Sequence, residues 1–146
     1  MKKLSTFLLF VSLLIGFSNA TYAQEDYTSL NLYVSFGDKN AINAQYEIPV
    51  AENITVSPAV VIPFNFDYLT VGVRADYYFD HLMRLSKDWD IWGGLDTGFA
   101  IGHDDDIFNI NVHVGAEYKI NPMWGILVEF GGGTASFGGI GVGIHF

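Results

Sequence analysis

Six carboxylates share one side of this chain with a single guanidinium. Glu47, Asp76, Asp90, Asp96, Glu117 and Glu129 lie in segments where polar and apolar residues alternate, and each falls on the same parity as Arg74 does in its own segment. Residues of one parity occupy one face of a β-strand. If that face is enclosed, its charges cannot stay unpaired without a large desolvation cost. Ion pairing is the first chemistry these residues offer. Counting from the turn signals puts Arg74 and Asp96 near mid-depth on neighbouring segments, which predicts an Arg74–Asp96 ion pair with Glu129 as a third member across the enclosed space. A lining so rich in carboxylate also prefers cations wherever it conducts, by the logic of carboxylate rings in channels.

Other chemistries are less well supplied. His113 is the histidine in a central position of the polar face, and Ser57 is a hydroxyl on that face. Glu117 shares the face of His113 but stands four residues away, roughly 13 Å along a strand, too far to orient the imidazole as a triad requires. No nucleophile, base and orienter converge, so the chain reads as a non-enzyme, with His113 hydrogen-bonded inside the polar network. In the run His103-Asp104-Asp105-Asp106, the oxygens of Asp104, Asp105 and Asp106 suit calcium or magnesium. The glycine and distal glutamate of a calcium loop are missing, which leaves a weak metal candidate that reads first as a solvated acidic tip. The glycines of Gly131-Gly132-Gly133 and of Gly139, Gly141 and Gly143 are followed by neither Lys-Ser/Thr nor a helix, so they do not form a phosphate loop. They fit an inner wall thinned to admit Trp92, Tyr78 or Tyr33. No cofactor is expected.

Strands must position these side chains. Eight period-two segments follow Tyr27: Leu30 to Phe36, Ala41 to Ile48, Ile54 to Ile62, Leu69 to Phe79, Trp89 to Ile101, Ile107 to Lys119, Trp124 to Phe130, and Ser136 to Phe146. The longest connection, Asp80 to Asp88, has room for one helical turn. The others are short, and short connections join antiparallel neighbours in up-and-down order, since parallel pairing needs crossovers of about a dozen residues. Eight such strands close a small barrel.

The faces decide the solvent. One parity set holds Leu32, Val34, Ile42, Val71, Val73, Leu95, Ile110, Val112, Val114, Ile126, Val128 and Val142 without a charge, and it also holds bulky Tyr46, Tyr77, Phe99, Tyr118, Trp124 and Phe130. The opposite set holds the charges and the small residues Gly72, Gly94, Gly98, Gly115, Gly125, Gly139, Gly141 and Gly143. An eight-stranded interior is just wide enough for side chains to fill. Small and polar inside with bulky and apolar outside is the arrangement that fits, and it calls for lipid around the barrel. Aromatics near both predicted rims agree with the girdles of a membrane barrel. The reversed arrangement, a secreted barrel holding a small apolar ligand, is the remaining soluble alternative.

Lys2 and Lys3, the apolar run from Leu4 to Phe17 and the small and polar residues ending at Ala23 read as a secretory signal, residues 1–23, cleaved before Gln24, with a cut after Ala20 as the second choice. The fourteen-residue run is short against the ~20 residues of a spanning helix. A barrel domain of residues 24–146 remains. Loss of the two lysines takes the formal charge from −9 to −11, which makes nucleic acid a poor partner. The absence of cysteine excludes both a thioether lipid anchor and a disulfide framework.

The last strand ends on an aromatic after apolar residues at every second position, with Gly141, Ile144 and Phe146 where the C-terminal insertion signal of outer-membrane barrels has glycine and two hydrophobics. Over Tyr27 to Phe146 the chain resembles the small OmpA/OmpX-like outer-membrane barrels, from which its short external loops depart. That resemblance implies an all-β, eight-stranded, antiparallel, up-and-down transmembrane barrel in the outer membrane of a Gram-negative-type envelope, with both mature termini periplasmic. It implies outer-membrane lipids and the barrel-assembly machinery as partners, a monomeric state, and a structural role in envelope integrity with a plugged polar lumen. A narrow cation-preferring channel is the alternative.

Overall fold

The computed structural model describes residues 27–37, 40–102, 108–131 and 138–146, with the side chains at 108 and 109 excepted. The expected signal segment, the acidic run 103–106 and the glycine loop 132–135 lie outside the described residues. The described residues form eight strands: β1 (Ser29–Phe36), β2 (Ala41–Ala51), β3 (Ile54–Pro63), β4 (Leu69–Tyr78), β5 (Trp89–Ile101), β6 (Phe108–Lys119), β7 (Trp124–Gly131) and β8 (Gly138–His145). Each pairs antiparallel with its sequence neighbours, and β1 pairs with β8, so the sheet is a closed up-and-down barrel. At the seam, Leu32 lies opposite Ala44 on β2 and Val142 on β8. Closure gives every strand two partners and leaves no edge.

Local sequence explains most boundaries. Asn53 takes φ 59° in the β2–β3 turn, a left-handed conformation that asparagine tolerates better than most residues. A helical turn, α1 (Asp80–Met83), ends on Arg84 at φ 54°, a left-handed C-cap whose N–H donates to the Asp80 carbonyl. β2 runs past the expected stop at Ile48 to Ala51, through a register irregularity between Pro49 and Ala51. Proline also marks the ladder between β2 and β3, where pairing skips from Gln45↔Ala59 to Ile48↔Val56 around Pro58, a residue with no N–H to give.

The faces follow the parity of the sequence. Ile110, Val112 and Phe130 are 70%, 63% and 64% exposed on the outside, whereas Asp76, His113 and Arg74 are 1%, 3% and 4% exposed within. The faces are therefore not reversed, and the enclosed surface is charged rather than apolar. Aromatic contacts ring the end of the barrel where β1 begins and β8 stops, here the terminal end. Trp89 packs on Tyr118 at 5.1 Å between ring centres, Tyr77 on Phe79 at 4.9 Å, and Tyr46 lies 6.5 Å from Phe146. At the opposite, distal end Phe36, Phe64, Phe66, Phe99 and Phe130 are exposed.

Candidate functional site

The lumen is the candidate site. Its centre is an ion pair between opposite walls. Arg74 on β4 donates to both oxygens of Glu129 on β7, Nη2 to Oε2 at 2.7 Å and Nη1 to Oε1 at 3.0 Å. This bidentate geometry is the strongest form of the guanidinium–carboxylate contact. The Tyr33 hydroxyl sits 3.1 Å from Arg74 Nη1 and 3.2 Å from Glu129 Oε1, and the Trp92 indole N–H reaches Glu129 Oε2 at 3.4 Å. Asp76, two residues along β4, stands 3.4 Å from Arg74 Nη2.

The expected Arg74–Asp96 pair is corrected. The two residues are direct cross-strand partners in the β4–β5 ladder, yet the ion-pair partners of Arg74 are Glu129 and Asp76. Asp96 turns instead toward β6, accepting from Asn111 Nδ2 at 2.9 Å and meeting His113 Nδ1 at 3.0 Å. The other ring nitrogen of His113, Nε2, lies 2.5 Å from Asp76 Oδ1. Two carboxylates from β4 and β5 thus hold the imidazole that lies between them. Neither carboxylate lies on the histidine's own strand, which carries Glu117, and the ladder places Gly94, between Asp76 and His113, as a gap they can span. A Cβ on Gly94 would run into Asp76 Oδ1 and His113 Nε2.

A second group of polar contacts lies toward the terminal end. Tyr78 donates to Glu47 Oε2 at 2.7 Å, and the Ser29 hydroxyl is 3.0 Å from the same oxygen. Glu117 meets His145 Nε2 at 2.9 Å, and Asp90 meets Lys119 Nζ at 2.9 Å. The last two pairs bring in His145 and Lys119, which sequence reasoning left out of the network. Parity was the available signal, since His145 shares its face with Gly141 and Gly143. Tyr27 stacks on Tyr78 at 4.1 Å, and Trp92 and Leu127 are fully buried beyond them.

The glycines serve this packing. Trp92 lies where a Cβ on Gly115 would be, Tyr33 where Cβ atoms on Gly139 and Gly141 would be, and Glu117 where those of Gly125 and Gly143 would be. The space expected for Trp92 and Tyr33 is present. Ile144, opposite Leu30 and Trp124, and exposed Phe146 face outward, whereas Gly141 faces the lumen. Toward the distal end the wall opens into a cavity of about 60 Å³ whose lining includes Gln45, Thr70, Arg74, Asp96 and Glu129. Among the described residues no cluster of three or more metal-ligating side chains occurs.

No protein-family model matches the chain, and no curated protein matches it. A solved structure described as "De novo design of transmembrane beta-barrels" superposes with a TM-score of 0.64 at 15% identity, covering 81% of this chain and 93% of that one. The chain is thus similar in fold to a designed transmembrane barrel.

Proposed function

We propose that the protein is a monomeric, non-enzymatic outer-membrane barrel, exported by its N-terminal signal and inserted from the periplasm. Its role is structural, within the integrity of the envelope. The observation that carries this reading is the exposed apolar belt around a charged lumen. In water that belt would be a contiguous hydrophobic surface far larger than soluble monomers carry, whereas in a bilayer it matches the hydrocarbon. The burial of Trp92, Tyr78 and Leu127 inside the wall supports a plugged lumen rather than an aqueous channel. The excess of lumenal carboxylates over Arg74 and Lys119 keeps a narrow cation-preferring conductance as the second reading. Gly141, Ile144 and Phe146 would serve recognition by the assembly machinery.

The reading is tested by fractionating cells and comparing gel mobility before and after boiling. A heat-modified band in the outer membrane is expected. Val112→Arg places a charge in the middle of the belt and should weaken folding into lipid by about 2–4 kcal/mol. A wild-type-like Val112→Arg protein in the soluble fraction would sink the membrane assignment.

A further inference from the structure

We propose that the β2–β4 wall of the lumen carries a file of water that passes protons between the two ends of the barrel and excludes metal cations. This rests on the membrane-spanning reading above. Its starting point is an asymmetry in the polar contacts. Among the described residues, the buried side-chain nitrogens and oxygens without a protein partner lie on β2, β3 and β4, except for Thr97 Oγ1 and His145 Nδ1. On the opposite wall large side chains fill the space, with Trp92 against Gly115, Tyr33 over Gly139 and Gly141, and Leu127 fully buried.

These unpartnered atoms are spread along the depth of the barrel. Thr70 and the Gln45 amide face the distal cavity. Ser57 pairs in register with Arg74, and Thr55 with Asp76, so their free hydroxyls follow next along the wall, alongside the unpartnered Asp76 Oδ2. Glu47 Oε1 is also free, since Tyr78 and Ser29 occupy only the other oxygen. Same-face residues on a strand are about 6.5–7 Å apart. That is too far for a direct hydrogen bond and close to the span of two hydrogen bonds of ~2.8 Å through one water. Buried polar groups left without a partner are costly, and a polar cavity that supplies several such groups holds water. The distal cavity has room for a few molecules at the ~10–15 Å³ each requires.

Such a file suits protons and not ions. A metal cation would have to shed its hydration shell to pass the enclosed Arg74–Glu129 pair, where the guanidinium already occupies both carboxylate oxygens. A proton moves by exchange: each water or carboxylate accepts one proton on one side and releases another on the other, so one O–H bond forms as one breaks. One proton enters at the distal cavity and one leaves past Glu47, with no oxidant or reductant involved. Asp76 and Glu47 are the ionisable members of the path.

The test uses the full-length protein in liposomes loaded with a pH-sensitive dye, with potassium flux recorded in parallel and insertion checked by heat-modified mobility. Inserted protein should raise proton flux above that of empty vesicles and leave potassium flux unchanged. Thr55→Val, which keeps the shape and removes the hydroxyl, should cut proton flux severalfold, and Thr55→Ser should restore it. Inserted protein without proton flux overturns the file and leaves the membrane reading standing. Potassium flux comparable to proton flux, or a Thr55→Val protein that conducts normally, overturns it as well. Failure to insert removes both.

Discussion

The Arg74–Glu129 pair shows how far a side chain can override its backbone neighbour. Arg74 faces Asp96 directly across the β4–β5 ladder, but a guanidinium on a three-carbon stem reaches over a narrow lumen, where Glu129 offers two oxygens in fork geometry. Asp96 is meanwhile held by Asn111 and His113 from its other neighbour. Removing one member of such a buried pair leaves an uncompensated charge. Arg74→Ala should therefore cost about 3–5 kcal/mol in urea unfolding from lipid or detergent. A double-mutant cycle should give a larger coupling between Arg74 and Glu129 than between Arg74 and Asp96. Equal couplings would restore the pairing expected from sequence. The members of the network were legible, because parity separates them from the apolar face. Their pairing was not, since parity says nothing about reach across the lumen or about which of two neighbours a short carboxylate turns toward.

At the scale of the element, alternation located all eight strands, and their ends were read less well. Turn residues marked the hairpins, but Pro49 did not stop β2, which continues to Ala51 by giving up regular register with β3. The glycines of β6 and β8 carry information that hydropathy alone misses. They are the complement of the large inward side chains: Gly115 yields its space to Trp92 on β5, its direct partner in the ladder. Gly115→Val should therefore strain the wall, at about 1–3 kcal/mol for overpacking. Adding Trp92→Ala should recover part of that loss. An additive double mutant would show that the glycine serves something other than room for the indole. Leu127 is the converse case, an apolar side chain on the polar parity, fully buried between Gly125 and Glu129 along β7.

At the scale of the whole molecule, closure makes the other features compatible. An open eight-stranded sheet would present β1 and β8 as bare edges, and neither strand has the charges or prolines that blunt an edge. It would also leave the Arg74–Glu129 pair in no enclosure, because β4 and β7 meet across the lumen only when the sheet curls on itself. The seam can be tested covalently, since the chain has no cysteine of its own. Leu32 and Val142 are register partners on β1 and β8, and cross-strand Cα separations of about 4.5–5.5 Å fall within the range a disulfide accepts. The L32C/V142C double variant should form an intramolecular crosslink under oxidising conditions, seen as a shift on non-reducing gels. L32C/I126C should not, because Ile126 lies on β7 and β8 stands between the two strands. A crosslink in the second variant, or none in the first, would mean that β1 and β8 do not meet as neighbours. The lumenal ion pair would then lose the geometry that places its two walls face to face.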